Sequence, residues 1–126
     1  MNVVDSSGWL EYFGDGPNAP HFAGPLGRPE ELIVPVISVF EVFKRVLQQR
    51  DEASALQAAA LMQQGQVVAL DAALAMAAAK LSFELKLPMA DSIILATARQ
   101  FNAVFWTQDA DFENMPGVRY VAAVRA

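Results

Sequence analysis

Cysteine is absent from the 126 residues, which excludes disulfides, thiolate nucleophiles and cysteine-ligated zinc. Histidine occurs once, at His21. One is too few for a histidine-built metal centre, and in its Pro- and Gly-rich surroundings His21 reads as a surface residue. A metal bound by this chain would be a hard cation held by oxygen. Basic residues are also scarce: 9 Lys and Arg stand against 14 Asp and Glu, for a net charge of −5. Domains that bind duplex DNA by covering its phosphates are usually basic. The acidity counts against such a module, but not against an enzyme that reaches a nucleic-acid backbone through metal ions. Long apolar runs are missing too. The Ala-rich region from Ala53 to Ala79 is broken by Gln63-Gln64-Gly65-Gln66 and Asp71 and does not reach transmembrane length. Asn2 and Asp5 interrupt any N-terminal signal segment. No membrane association is expected, and the cytoplasm is the expected location.

What the chain does contain is globular: 54% apolar and 18% charged residues, with a length that suits a single domain over residues 1–126. Short apolar runs alternate with helical periodicities. Val3-Val4 reads as the end of a first strand, Leu32 to Pro35 as a second, Val67 to Leu70 as a third, Val104 to Thr107 as a fourth and Val118 to Val121 as a last. Helices are expected over Ser7 to Phe13, from Val39 behind a Ser38 cap, from Asp51 to about Gln64 with Gly65 ending it, over Ala72 to Leu85 behind Asp71, and over Ala90 to Phe101. Asn18 to Leu26, with Pro20, Gly24 and Pro25, reads as a loop or a short irregular helix. The strands are apolar without alternation, as when helices cover both faces of a sheet. Connections of this length imply parallel strands. The expected fold is α/β: a three-layer sandwich around a short, mainly parallel sheet of four to five strands.

Carboxylates fall at the ends of these elements. Asp5 follows the first strand, and Asp109 and Asp111 follow the fourth. Glu41 and Asp91 lie in the first turns of two helices that begin beside the same sheet edge, where ligand sites of open α/β sheets lie. Converging carboxylates repel one another, and a divalent cation offsets that cost. Oxygen ligands of this kind suit Mg²⁺ or Mn²⁺. Each residue also has a purely structural reading. Asp5 can cap a helix, Glu41 can complete a capping box with Ser38, Asp91 can answer a helix dipole, and Asp109 and Asp111 can hold a turn through Asx bonds. Ser7 and Thr107 are placed to orient Asp5 and Asp109, or to cap a helix start and a strand end. Trp106 reads as core.

Four stretches in order, Val3-Val4-Asp5-Ser6-Ser7, Ser38-Val39-Phe40-Glu41-Val42, Leu87 to Ala98 around Asp91, and Thr107-Gln108-Asp109-Ala110-Asp111-Phe112, resemble the motifs of the PIN-domain family. Within it the resemblance is to the VapC-type toxin ribonucleases of toxin–antitoxin pairs, and it covers essentially the whole chain. It implies that Asp5, Asp91 and Asp109 hold Mg²⁺ or Mn²⁺ with Glu41 completing the acidic shell. Asp111 would shape the turn or support the metal indirectly. It further implies hydrolysis of RNA phosphodiester bonds by a metal-activated water, a homodimer and silencing by a cognate antitoxin.

Other readings compete. A structure-specific DNA nuclease uses the same metal centre, but a single small domain is expected, with no further domain to grip a duplex. A phosphoryl-transfer receiver domain shares the acidic edge, and Leu70-Asp71 imitates one of its features, but the terminal strands lack its lysine. An acidic interaction module, with carboxylates that only cap helices, would bind no Mn²⁺.

Overall fold

The computed structural model describes residues 1–124; the last two residues of the expected domain lie outside the described residues. The chain runs β1 (Asn2–Val4), α1 (Ser6–Phe13), α2 (Ala19–Leu26), a 3₁₀ turn (Pro29–Glu31), β2 (Ile33–Pro35) and α3 (Val36–Gln49). It continues through α4 (Glu52–Met62), β3 (Gln66–Val68), α5 (Ala72–Leu85), α6 (Met89–Gln100), β4 (Val104–Thr107), a second 3₁₀ turn (Ala110–Phe112) and β5 (Val118–Tyr120). β1, β4 and β5 form one parallel sheet with β4 in the middle. β2 and β3 form a parallel pair, joined to β1 by a single parallel bridge between Asn2 and Leu32. The expected α/β architecture is therefore the observed one. The chain builds outward from β1 through β2 to β3, then returns to place β4 on the other side of β1. That reversal opens a crevice at the carboxyl ends of β1 and β4.

Successive side chains of a strand point to opposite faces, and both faces are covered. Val4, Val34 and Trp106 face a core built with Trp9, Phe22, Val42, Ala58 and Met62, under α1 to α4. Val3, Ile33 and Phe105 face a second core with Leu87, Ile94, Leu95 and Phe112, under α6. α5 packs on α6 through Leu74, Ala78, Ile93 and Ala96. Its many alanines leave room for that approach. Among the described residues no helix is long and apolar enough to cross a membrane.

Several boundaries differ from the sequence reading. α3 starts at Val36, behind Pro35, and not at Val39. Proline suits this junction because its fixed φ fits both an extended strand end and the residue before a helix. Ser38 therefore lies inside the helix, fully buried, with no partner for its hydroxyl, and there is no capping box with Glu41. Residues 19–26 form a regular helix. Pro20 sits at its start, where no amide is needed, and Pro25 is buried near its end. His21 is consequently not a loop residue: its ring packs edge-on to Phe22 and lies 5.1 Å from Trp106. α4 ends at Met62, two residues before the expected Gln64. Gly65 serves the sheet instead, since a Cβ there would stand 3.0 Å from the Leu32 carbonyl and from Val34.

Gly8 marks the tightest contact between α1 and the sheet. A Cβ on it would lie 2.7 Å from the buried Phe22 ring and from Val4. In an exposed helix Gly→Ala stabilises by about 1 kcal/mol, but overpacking a filled core costs about 1–3 kcal/mol, and here the second effect wins. Gly8→Ala is expected to lower the melting temperature; an unchanged or higher value would show that the α1–α2 seam has slack.

Candidate metal centre

Asp5 ends β1 with its N–H donating to the Trp106 carbonyl at 2.9 Å, and its own carbonyl accepts from Gly8 and Trp9 to start α1. The backbone of Asp5 thus caps the helix, while its carboxylate makes no cap bond. That carboxylate is released for other contacts: Oδ2 accepts from the Ser7 hydroxyl and from Thr107 Oγ1, each at 2.9 Å. The residue is only 3% exposed. Burial, which disfavours the charged form, raises its pKa from 3.8 to about 6, against the opposing pull of the two hydroxyls and with a smaller push from Asp109. Holding Asp5 ionised therefore costs on the order of 3 kcal/mol.

Asp91 stands in the first turn of α6, which Pro88 caps without a side-chain bond. Its pKa rises to about 7, first through desolvation and then through the negative charges of Asp5, Asp109, Glu41 and Asp111. The acids expected from the sequence thus gather around Asp91. Asp91, Asp109 and Asp111 each offer one carboxylate oxygen, all within 4.8 Å of one another. Thr107 Oγ1 accepts from the Asp109 N–H at 2.9 Å, so one hydroxyl orients both Asp5 and the start of the Asp109 turn. Asp109 Oδ1 accepts from the Asp111 N–H at 2.9 Å. That is the Asx bond expected of a turn, and it coexists with the clustering. Glu41, free of any capping box, accepts from the Ser6 hydroxyl at 2.7 Å.

Ser6 was not singled out from the sequence. A serine beside an aspartate at a helix start carries no mark of a partner 35 residues away. Its burial beside Asp5 emerges only in the fold.

The donor set fits a hard divalent cation. It is all oxygen, and three of its members are close enough to chelate one ion. Among the described residues the ion pairs are Arg28–Glu31 and Lys80–Glu84, and neither involves an acid of the cluster. The raised pKa values of Asp5 and Asp91 come first from burial, and repulsion from the neighbouring acids adds to them, most of all at Asp91.

The sign of the pH dependence follows. Asp5 and Asp91 titrate at about 6 and about 7, above the ordinary 3.8, so between those limits the folded chain binds more protons than the unfolded one. Stability of the metal-free protein therefore falls as pH rises from about 4 to about 7 and is level above. The Asp51 cap is shifted downward by its bond from Ser54 and acts only below this window. Melting in EDTA is expected to occur at a higher temperature at pH 5 than at pH 8, with Mn²⁺ closing the gap at pH 8. A melting temperature that climbs from pH 5 to pH 8 in EDTA would contradict this electrostatic account.

The PIN domain family model matches residues 3–118 of this chain. Among solved structures, a toxin–antitoxin complex from Klebsiella pneumoniae superposes with a TM-score of 0.78 at 22% identity, covering 94% of this chain and 96% of that one. The sarcin–ricin-loop-cleaving toxin VapC20 of Mycobacterium tuberculosis gives 0.75 at 18% identity, covering 89% and 92%. DNA-bound VapBC from Salmonella typhimurium gives 0.73 at 15% identity, covering 97% of each chain. Comparison with curated proteins gives no significant match. With a parallel α/β sheet, an acidic crevice where its strand order reverses, and a family match over nearly its full length, the chain belongs to the PIN-domain family.

Proposed function

We propose that this protein is a Mg²⁺- or Mn²⁺-dependent endoribonuclease, the toxin of a toxin–antitoxin pair. The observation that carries this reading is the convergence of Asp5, Glu41, Asp91, Asp109 and Asp111 on one crevice, with no ion pair to any of them among the described residues. In this reading Asp5, Asp91 and Asp109 hold the ion, Glu41 completes the shell and Asp111 supports it from the exposed side. Bound there, the ion would supply an activated water and charge neutralisation on the phosphate. The protein's part is positioning. Thr107 and Ser7 hold the Asp5 carboxylate, Ser6 holds Glu41, and the rigid first turn of α6 presents Asp91 with its carboxylate unspent on capping. RNA is favoured over duplex DNA because the chain is acidic. Single strands and loops need no extended basic surface to reach a crevice of this size, and one fold neighbour is a sarcin–ricin-loop-cleaving toxin.

Two further features support the partners that this reading implies. A groove between α1, α3 and α4 is lined by Leu10, Phe13, Val46, Ala58 and Leu61 together with Gln49, Arg50, Ser54 and Gln57, a seat of mixed character for an antitoxin segment. Phe83 and Met89 flank a second apolar groove and are 85% and 71% exposed, a face suited to a second copy of the chain. Light scattering of the purified protein at micromolar concentrations is expected to give a dimer mass, and Phe83→Asp a monomer with an unchanged melting temperature. A wild type that stays monomeric throughout removes the dimer from the proposal.

The decisive experiment is Asp5→Asn. The amide keeps the size and an acceptor for Ser7 and Thr107 but is a poorer ligand for a hard cation. Cleavage of looped RNA with Mg²⁺ or Mn²⁺ is expected to fall by on the order of 100-fold or more. The metal-free melting temperature is expected to hold or rise, because a buried charge has been removed. If the carboxylate only supported the helix start, activity would survive, since Asn and Asp are equivalent caps. A folded Asp5→Asn protein cutting RNA at the wild-type rate would rule out the role given to Asp5, and a wild type that binds no Mn²⁺ would favour an interaction module over a nuclease.

A further inference from the structure

We propose that Asn18 is a positioning residue for the turn that carries Asp109 and Asp111, acting through the side chain of Gln108; this inference rests on the metal-centre reading above. Asn18 occupies the N-cap of α2, where an asparagine normally turns its side chain back onto the free amides of the first turn. Here it makes no cap bond. Its Nδ2 instead donates to Gln108 Oε1 at 3.0 Å and to the Ala122 carbonyl at 2.9 Å, partners 90 and 104 residues away. The side chain is buried, the residue being 8% exposed. Its backbone is anchored from α1, where Glu11 Oε2 accepts the Asn18 N–H at 2.8 Å. Asn18 thus forgoes a local bond and links the α1–α2 layer to the end of β4.

The target of that link is the weak point of the acidic cluster. Asp91 is carried by a twelve-residue helix, whereas Asp109 and Asp111 sit on a short turn after β4. The turn is held on one side by the Thr107 hydroxyl, and at its far end by Phe112, which is fully buried against Phe105 at 4.8 Å. The flank facing α2 is held by Gln108, the residue between Thr107 and Asp109. The same Asn18 amide grips Ala122, and the Val121 N–H donates to the Thr107 carbonyl at 3.1 Å. One NH₂ group therefore ties both the turn and the segment after β5. Three carboxylates within 4.8 Å repel, and without this tie the turn is the element free to swing Asp109 and Asp111 away from Asp91. Hydrogen-bond partners of metal ligands set metal affinity by about 10- to 100-fold; Asn18 acts one step further out, through Gln108 and the backbone that leads to Asp109, at the low end of that range.

The test compares wild type, Asn18→Ala, Gln108→Ala and the double variant. Mn²⁺ affinity is measured calorimetrically without RNA, melting in EDTA, and kcat and KM on a looped RNA. Each single variant is expected to weaken Mn²⁺ binding by about tenfold or more. The double variant should lose no more than the worse single one, because all three remove the same bond. At limiting Mn²⁺, kcat should fall with little change in KM for RNA. Gln108→Ala leaves the Asn18–Ala122 bond in place, so it decides the matter if Asn18→Ala does not fold. A Gln108→Ala protein with wild-type Mn²⁺ affinity overturns the proposal, as do losses that multiply in the double variant. A wild type with no Mn²⁺ affinity overturns the metal-centre reading, and this proposal with it.

Discussion

Thr107 Oγ1 is fully buried and works in both directions, donating to Asp5 Oδ2 and accepting from the Asp109 N–H. Those two residues follow the adjacent strands β1 and β4, which are paired in parallel register from Asn2 and Val104 onward. The hydroxyl therefore sets the spacing between the two strand ends at the point where the sheet reverses its order. A hydroxyl suits this place because it supplies one donor and two acceptor lone pairs in a small volume. Replacing it with a methyl would leave a buried carboxylate oxygen and a backbone amide each short of a partner, a loss of about 1–3 kcal/mol per group.

Around that bond the fold tolerates an arrangement that works against its own stability. Carboxyls drawn to one crevice, with two pKa values pushed up to about 6 and about 7, are a standing repulsion that the two apolar cores must outweigh. The cores are built for it: Val3, Val4, Val34, Val42, Ile94, Phe22, Phe105 and Phe112 are all essentially excluded from solvent. The strands are only three or four residues long. The ladders are short, so the helices packed on both faces, rather than the strand pairing, hold the acidic edge in place. Strain concentrated at a site and compensated by its surroundings is the usual mark of a functional position.

Not every side chain of the crevice shares this logic. Ser6 and Ser7 are neighbours in sequence but serve different acids, Glu41 and Asp5, because the first turn of α1 points them to different sides. Trp106 precedes Thr107 yet turns away from the crevice, its indole N–H donating to Asn2 Oδ1 and its ring lying near His21 and Arg119. The alternation of a strand separates the two: Thr107 faces the acids and Trp106 the α1–α2 layer.

How much of this was legible in the chain itself follows from the range of the forces involved. Helix and strand order, the parallel α/β class, the cap at Asp71 and the placing of Asp5, Asp91 and Asp109 at element ends all depend on neighbours within a turn or two. Periodicity and cap chemistry report such short-range preferences. The start of α3, the loss of the Ser38–Glu41 box, the regular helix over residues 19–26 and the approach of Asp111 to Asp91 were decided by tertiary structure. Pro35 had to end a buried strand, Phe22 and Pro25 had to fill a core, and the turn after β4 had to close on Phe112. The bonds from Ser6 to Glu41 and from Asn18 to Gln108 join residues 35 and 90 positions apart. No local pattern marks them, because a serine or asparagine at a helix start has the same propensity whether its side chain caps that helix or reaches across the molecule.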